Sequence, residues 1–174
     1  MRNNTKLIIF RRTIFVLLIL LTHILQNTKG WFPEIFSARA FLLIPLTVCL
    51  GMFEREFTGA VLGAFAGALW DSVFGLADGY NALFLMLIGG GCGLLINVFM
   101  RNHLLTALIL SGSATLLYTV LYVLFFVTAQ GMDSAGWLFL RFYLPSAVYT
   151  VVFTPIYYMI VRSLMRLTRT AQEF

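Results

Sequence analysis

Six apolar runs follow one another along the chain with only short connections between them. They cover residues 12–27, 37–53, 58–75, 80–100, 103–129 and 137–162. A helix needs about 20 mostly apolar residues to cross the hydrocarbon core of a bilayer. Backbone in lipid must satisfy its own hydrogen bonds, so runs this continuous select helices. Composition agrees, with 60% apolar and 11% charged residues, against about one quarter charged in a soluble domain. A water-soluble enzyme and a disordered linker are both excluded. The expected fold is an all-α integral membrane protein, a compact bundle of six transmembrane helices. The chain has 174 residues, which leaves no room for a second domain of ordinary size, so 1–174 is expected to form a single membrane domain.

Basic residues give the orientation. With the N-terminus in the cytoplasm and six alternating spans, Arg2, Lys6, Arg11, Arg12, Arg55, Arg101, Arg162, Arg166 and Arg169 fall inside. Only Lys29, Arg39 and Arg141 fall outside. Basic residues are retained on the cytoplasmic side during insertion, so both termini are expected there, in a multi-pass membrane protein. The net charge of +5 therefore bears on orientation, and nucleic acid is not an expected partner. The same arrangement puts Trp31, Trp70 and Trp137 near the outer boundary, where amphipathic rings are favoured. The first run has the basic start of a signal peptide, but QNTKGWFPE follows it with no small-x-small cleavage site, so a retained helix is expected.

The third run carries Gly59, Gly63, Gly67 and Asp71 at a spacing of four, with Gly75 beyond and Ala60, Ala64 and Ala68 beside them. That spacing keeps residues on nearly one helical face. Small residues let a second helix approach closely, either within the chain or from a partner. Gly89, Gly93, Asn97 and Arg101 repeat the spacing in the fourth run. A carboxylate near the apolar zone is costly unless paired or hydrated, and Asp71 and Arg141 sit at matching depth near the outer ends of their helices. An Asp71–Arg141 pair is one expectation, with Asp78 and Asp133 as rival partners. Glu54 and Glu56 are placed to neutralise Arg101.

No constellation for catalysis is present. Cys49 and Cys92 lie inside apolar runs and read as small buried hydrophobes. His23 and His103 have no third ligand at metal spacing, and neither a Walker motif nor a dinucleotide fingerprint occurs. Ser111 and Ser113 in LSGSA read as helix-packing hydroxyls. The expectation is a protein that is not an enzyme and holds no cofactor or metal.

The stretch GAVLGAFAGALWDSVFGLADGYNALFLMLIGGGCGLL resembles the rod shape-determining MreD family. The resemblance rests on Gly59, Gly63, Gly67, Asp71, Gly79, Gly89, Gly93 and Arg101, and is strongest over residues 50–101. It implies a non-catalytic scaffold or regulatory subunit of the cell-elongation machinery that makes peptidoglycan in rod-shaped bacteria. The implied partners are a bitopic MreC-like protein in the bilayer and, through it, MreB filaments, a SEDS glycosyltransferase and a transpeptidase. A rival reading is the substrate-binding S component of an ECF-type vitamin transporter, which is similar in size and helix number. That family carries an A-x3-A face in its first helix, absent from FVLLILLTHIL here. Its outer pocket would draw on Trp31, Trp70, Asn81, Trp137 and Arg141.

Overall fold

The computed structural model describes residues 2–28, 41–74, 79–128 and 144–168. Trp31, Gly75, Asp78, Asp133, Trp137 and Arg141 lie outside them, and so does any Asp71–Arg141 pair. All regular structure among the described residues is helical: α1 (Arg2–Asn27), α2 (Leu43–Phe53), α3 (Glu56–Phe74), α4 (Tyr80–Val98), α5 (Leu104–Tyr122) and α6 (Leu144–Leu167). A π-helical turn, Val123–Thr128, prolongs α5. Four helical stretches are long and apolar enough to cross a membrane: Lys6–Asn27, Tyr80–Val98, Leu104–Phe125 and Pro145–Leu167. α3, with 19 residues, is not among them. α2 has only 11 described residues, about 16 Å of rise.

Helices extend past the apolar runs at both ends of the chain. α1 begins at Arg2 instead of near residue 12, and α6 runs to Leu167 instead of 162. Basic residues are good helix formers, so a helix continues through them once apolar packing has nucleated it.

The core is built around α2. Every residue from Leu43 to Met52 is buried, as expected of a helix apolar all round. α2 packs against α1, α3, α4, α5 and α6. Phe15 and Ile19 of α1, Leu62 and Ala66 of α3, Leu85 of α4, Ala107 of α5 and Val161 of α6 join it in one core cluster. Leu17, Leu21, Leu83, Leu87, Leu116, Val148, Val152 and Met159 face outward and are exposed. Apolar surface on both the inside and the outside of a bundle is the signature of a protein solvated by lipid.

Two side chains from other helices complete the start of α2. Gln26 Oε1 accepts the Leu43 N–H at 3.0 Å, and Thr150 Oγ1 accepts the Phe41 N–H at 2.9 Å. Helix starts leave unpaired N–H groups that cannot turn to water inside a bundle, so α1 and α6 supply the acceptors. At the other end Arg11 of α1 meets Glu54 at the α2–α3 corner, Nε to Oε1 2.8 Å. Glu54 therefore pairs with Arg11 and not with Arg101, because both its own side chain and that of Arg11 are buried while Arg101 is exposed at the end of α4. A carboxylate removed from water needs its partner at the same depth.

Candidate functional site

α3 and α4 form the closest helix pair of the molecule, and their glycines set the spacing. A Cβ on Gly63 would strike the Leu85 carbonyl, and one on Gly67 the Asn81 carbonyl. A Cβ on Gly59 would come within 2.7 Å of the Gly89 carbonyl oxygen, and one on Gly93 within 2.7 Å of Glu56 Cα. Each step of four along α3 thus meets a step of four back along α4, as an antiparallel pair requires. Backbones approach this closely only where side chains are missing. Gly51 of α2 joins the half of the seam nearer the α2–α3 corner: a Cβ on Gly59 would lie 2.9 Å from Gly51 Cα, and one on Gly51 would meet the Gly89 carbonyl. The Thr47 methyl fills the hollow beside Gly63 and Gly89. Gly51 was not singled out by sequence, since a lone glycine in an apolar run has no periodic companion.

The end of the seam at the start of α4 is closed by Asp71. Its Oδ1 accepts the Asn81 side-chain amide at 2.8 Å and the Asn81 N–H at 3.2 Å, and Oδ2 accepts the Ala82 N–H at 2.9 Å. Asn81 and Ala82 lie in the first turn of α4, where N–H groups lack intrahelical partners and favour a negative charge. Gly79, just before that helix, has φ +87° and no side chain to cap it. Asp71 thus caps α4 from the end of α3, and the cost of a carboxylate at this depth is offset by three donors.

The network continues into α5. Tyr118 donates its hydroxyl to Asn81 Oδ1 at 2.9 Å. Its ring stacks on Trp70 with centroids 5.3 Å apart, and Phe41 and Phe84 meet it edge-on at 5.3 and 5.2 Å. Trp70 is only 3% exposed. It therefore does not belong to an interfacial belt: it lies near the C-terminal end of α3 but turns its indole inward onto Tyr118 and Phe41. Tyr118 and Asn81 are the site residues sequence reading missed or misassigned: Tyr118 falls in no repeat with the glycines, and Leu85 interrupts the small-residue row between Asn81 and Gly89.

Asn97 and Arg101, the continuation of the α4 row, are exposed at the opposite end. They lie beyond the closed part of the seam, which runs from Gly93 to Asn81 on α4. A cavity of about 430 Å³ opens here between Met52–Glu56, Gly93, Asn97 and Met165. Among the described residues no group of three His, Cys, Asp or Glu side chains comes together as a metal site would require.

α5 and α6 meet differently. Ser111, Thr115 and Thr119 of α5 and Ser146, Thr150 and Thr154 of α6 are all buried. Thr154 donates to Ser111 Oγ at 2.8 Å, while Thr115, Thr119 and Thr150 return their hydroxyls to the carbonyl four residues before, at 2.7–2.8 Å.

A family model described as rod shape-determining protein MreD matches residues 6–168, nearly the whole chain. The chain belongs to the MreD family. Neither the curated proteins nor the solved structures gave a match. Family membership makes this a protein of rod-shape determination, and the apolar helices make it a membrane protein. The match includes both the α3–α4 glycine seam and the Asp71–Asn81–Tyr118 network.

Proposed function

We propose that this chain is a non-catalytic scaffold or regulatory subunit of the bacterial cell-elongation machinery. It binds a bitopic MreC-like protein in the cytoplasmic membrane and, through it, acts with MreB filaments, a SEDS glycosyltransferase and a transpeptidase. The observation that carries this reading is the family match over residues 6–168. A bundle whose polar groups are spent on caps and helix contacts is consistent with it. Such a protein presents a stiff surface for another helix to read.

The topology belongs to the same proposal: six spans with both termini in the cytoplasm. Arg11, Arg12, Arg55, Arg101, Arg162 and Arg166 then lie toward one face of the membrane. Reporter fusions at Gln130 and Phe174 test it. An outside signal at Gln130 and an inside signal at Phe174 are expected, and an outside signal at Phe174 would end the six-span reading.

The transporter reading loses ground on a specific observation. Trp70 and Asn81, two groups its outer pocket would use, are already engaged with Tyr118. Extraction of a tagged chain in mild detergent separates the readings. A bitopic cell-wall factor should copurify; an ATP-binding cassette in its place would overturn the proposal.

A further inference from the structure

The cavity at the α2–α3 corner is walled by charges of both signs. Glu54, Arg55 and Glu56 come from the corner itself, Asn97 from the last turn of α4 and Met165 from α6. Glu54 is held by Arg11 at 2.8 Å, so its charge is compensated. Arg55 and Glu56 are different: among the described residues neither side chain makes an ion pair or a hydrogen bond, although the two are adjacent in the chain. Arg55 is exposed and Glu56 half-buried. The helix ends at the cavity divide the field in the same way. Glu56 opens α3, whose first N–H groups favour an anion, and Asn97 is next to last in α4, whose final carbonyls favour a cation. The three most exposed large apolar side chains among the described residues are Phe99 at 81%, Leu167 at 78% and Phe57 at 77%. Each follows a wall of the cavity within two residues: Phe57 after Glu56, Phe99 after Asn97 and Leu167 after Met165. Apolar side chains bared beside charged ones fit the interfacial depth of a bilayer, where headgroups meet acyl chains.

The charges select the occupant. An anionic headgroup would suit Arg55 but face Glu56, and a lone cation, such as a basic residue of a partner, would suit Glu56 but face Arg55. A zwitterion with a primary ammonium close to a phosphate answers both. Its phosphate oxygens accept from the Arg55 guanidinium, and its ammonium donates to the Glu56 carboxylate. The bare apolar side chains beside the walls call for an apolar body on the same molecule. We infer that this cavity binds the headgroup of an aminophospholipid of the phosphatidylethanolamine type, with the phosphate on Arg55 and the ammonium on Glu56. The inference rests on the chain being embedded in a membrane and not on its orientation or on its cell-wall partner.

The test is lipid retention, read by native mass spectrometry on the full chain washed in mild detergent after loading with phosphatidylethanolamine, phosphatidylglycerol or phosphatidylcholine. The parent chain should keep phosphatidylethanolamine over both others: phosphatidylglycerol lacks the cation, and the trimethylammonium of phosphatidylcholine has no N–H to donate. Glu56→Gln should cut the preference over phosphatidylglycerol about threefold, the effect of one partly exposed ion pair. Arg55→Gln should instead weaken retention of both lipids about fivefold, since both carry the phosphate. Asn97→Phe fills the cavity from the α4 side, where the native side chain is exposed, and should abolish the preference. Three variants at separate walls leave the inference decidable if one of them misfolds. Equal retention of the three lipids by the parent chain would overturn it. So would an unchanged preference in a well-folded Glu56→Gln or Asn97→Phe chain. If Glu56→Gln keeps the lipid preference and loses a copurifying bitopic protein, the cavity seats a basic residue of that partner and the lipid assignment is wrong.

Discussion

Along α3 and α4 the helices meet backbone to backbone, whereas α5 and α6 meet through side chains and, among the described residues, share one hydroxyl-to-hydroxyl bond, Thr154 to Ser111. The first pair depends on missing Cβ atoms at Gly59, Gly63, Gly67, Gly89 and Gly93. The second depends on Ser111, Thr154 and their neighbours satisfying one another away from water. Lipid supplies no hydrophobic drive for helices to associate, so both pairs must gain from close packing or polar contacts. The glycine seam gains dispersion over its whole length and has no slack. The hydroxyl seam gains a few bonds, most of them local to one helix, and tolerates loss of any one.

That contrast fixes the order of mutational effects. Gly63→Leu and Gly67→Leu should be the most damaging. The about 1–3 kcal/mol of an overpacked core assumes that neighbours can shift, but here the obstacle is the Leu85 or Asn81 carbonyl. Little folded protein should be recovered by size-exclusion chromatography in detergent. Leu62→Ile on the same helix should cost under about 1.5 kcal/mol, and Gly91→Leu, facing open space, should fold. Equal damage at Gly63 and Gly91 would break the comparison.

Next comes the anchor at the α2–α3 corner. Arg11→Ala leaves Glu54 buried without this partner and should cost about 3–5 kcal/mol, read as a lower thermal midpoint. The exchange Arg11→Glu with Glu54→Arg should recover part of the loss, which a purely local packing defect would not do.

At the opposite end of the seam, Asp71→Asn keeps the shape but removes the charge and sets an amide against a helix N–H. About 1–2 kcal/mol is expected, whereas Tyr118→Phe should cost about 1 kcal/mol by leaving Asn81 Oδ1 without its donor. A double-mutant cycle on the two should show coupling, because Asn81 bridges them. Additive effects would separate the cap from α5. The smallest effect belongs to the hydroxyl seam. Thr154→Val should cost about 0.6 kcal/mol, the mean found for hydrogen bonds between membrane helices. A loss as large as that of Gly63→Leu would make the two seams equivalent.

The glycine row was legible because small residues at a spacing of four leave a periodic mark. The hydroxyl rows, Ser111–Thr115–Thr119 and Ser146–Thr150–Thr154, carry the same spacing. Sequence reading took up only Ser111 and Ser113, without the row. A place near the end of α3 was legible for Asp71 and Trp70, but direction was not: whether a side chain near a helix end faces lipid or the bundle depends on the rotation of that helix. Trp70 turns inward onto Tyr118. The Arg11–Glu54 pair escaped for a related reason. Both residues were assigned to the inner face, but their partners depended on how α1 lies against the α2–α3 corner, which no local pattern encodes.

The central claim is that the glycine row closes a seam within the chain and supports partner binding only by holding the bundle together. Gly63→Ala tests it most directly, with thermal stability and copurification of the bitopic partner measured on the same preparation. The Cβ of alanine already meets the Leu85 carbonyl, so stability and copurification should fall together, and conditions that restore folding should restore binding. A Gly63→Ala chain with the parent's thermal midpoint and no bound partner would contradict the claim, because the row would then be a face offered to another protein.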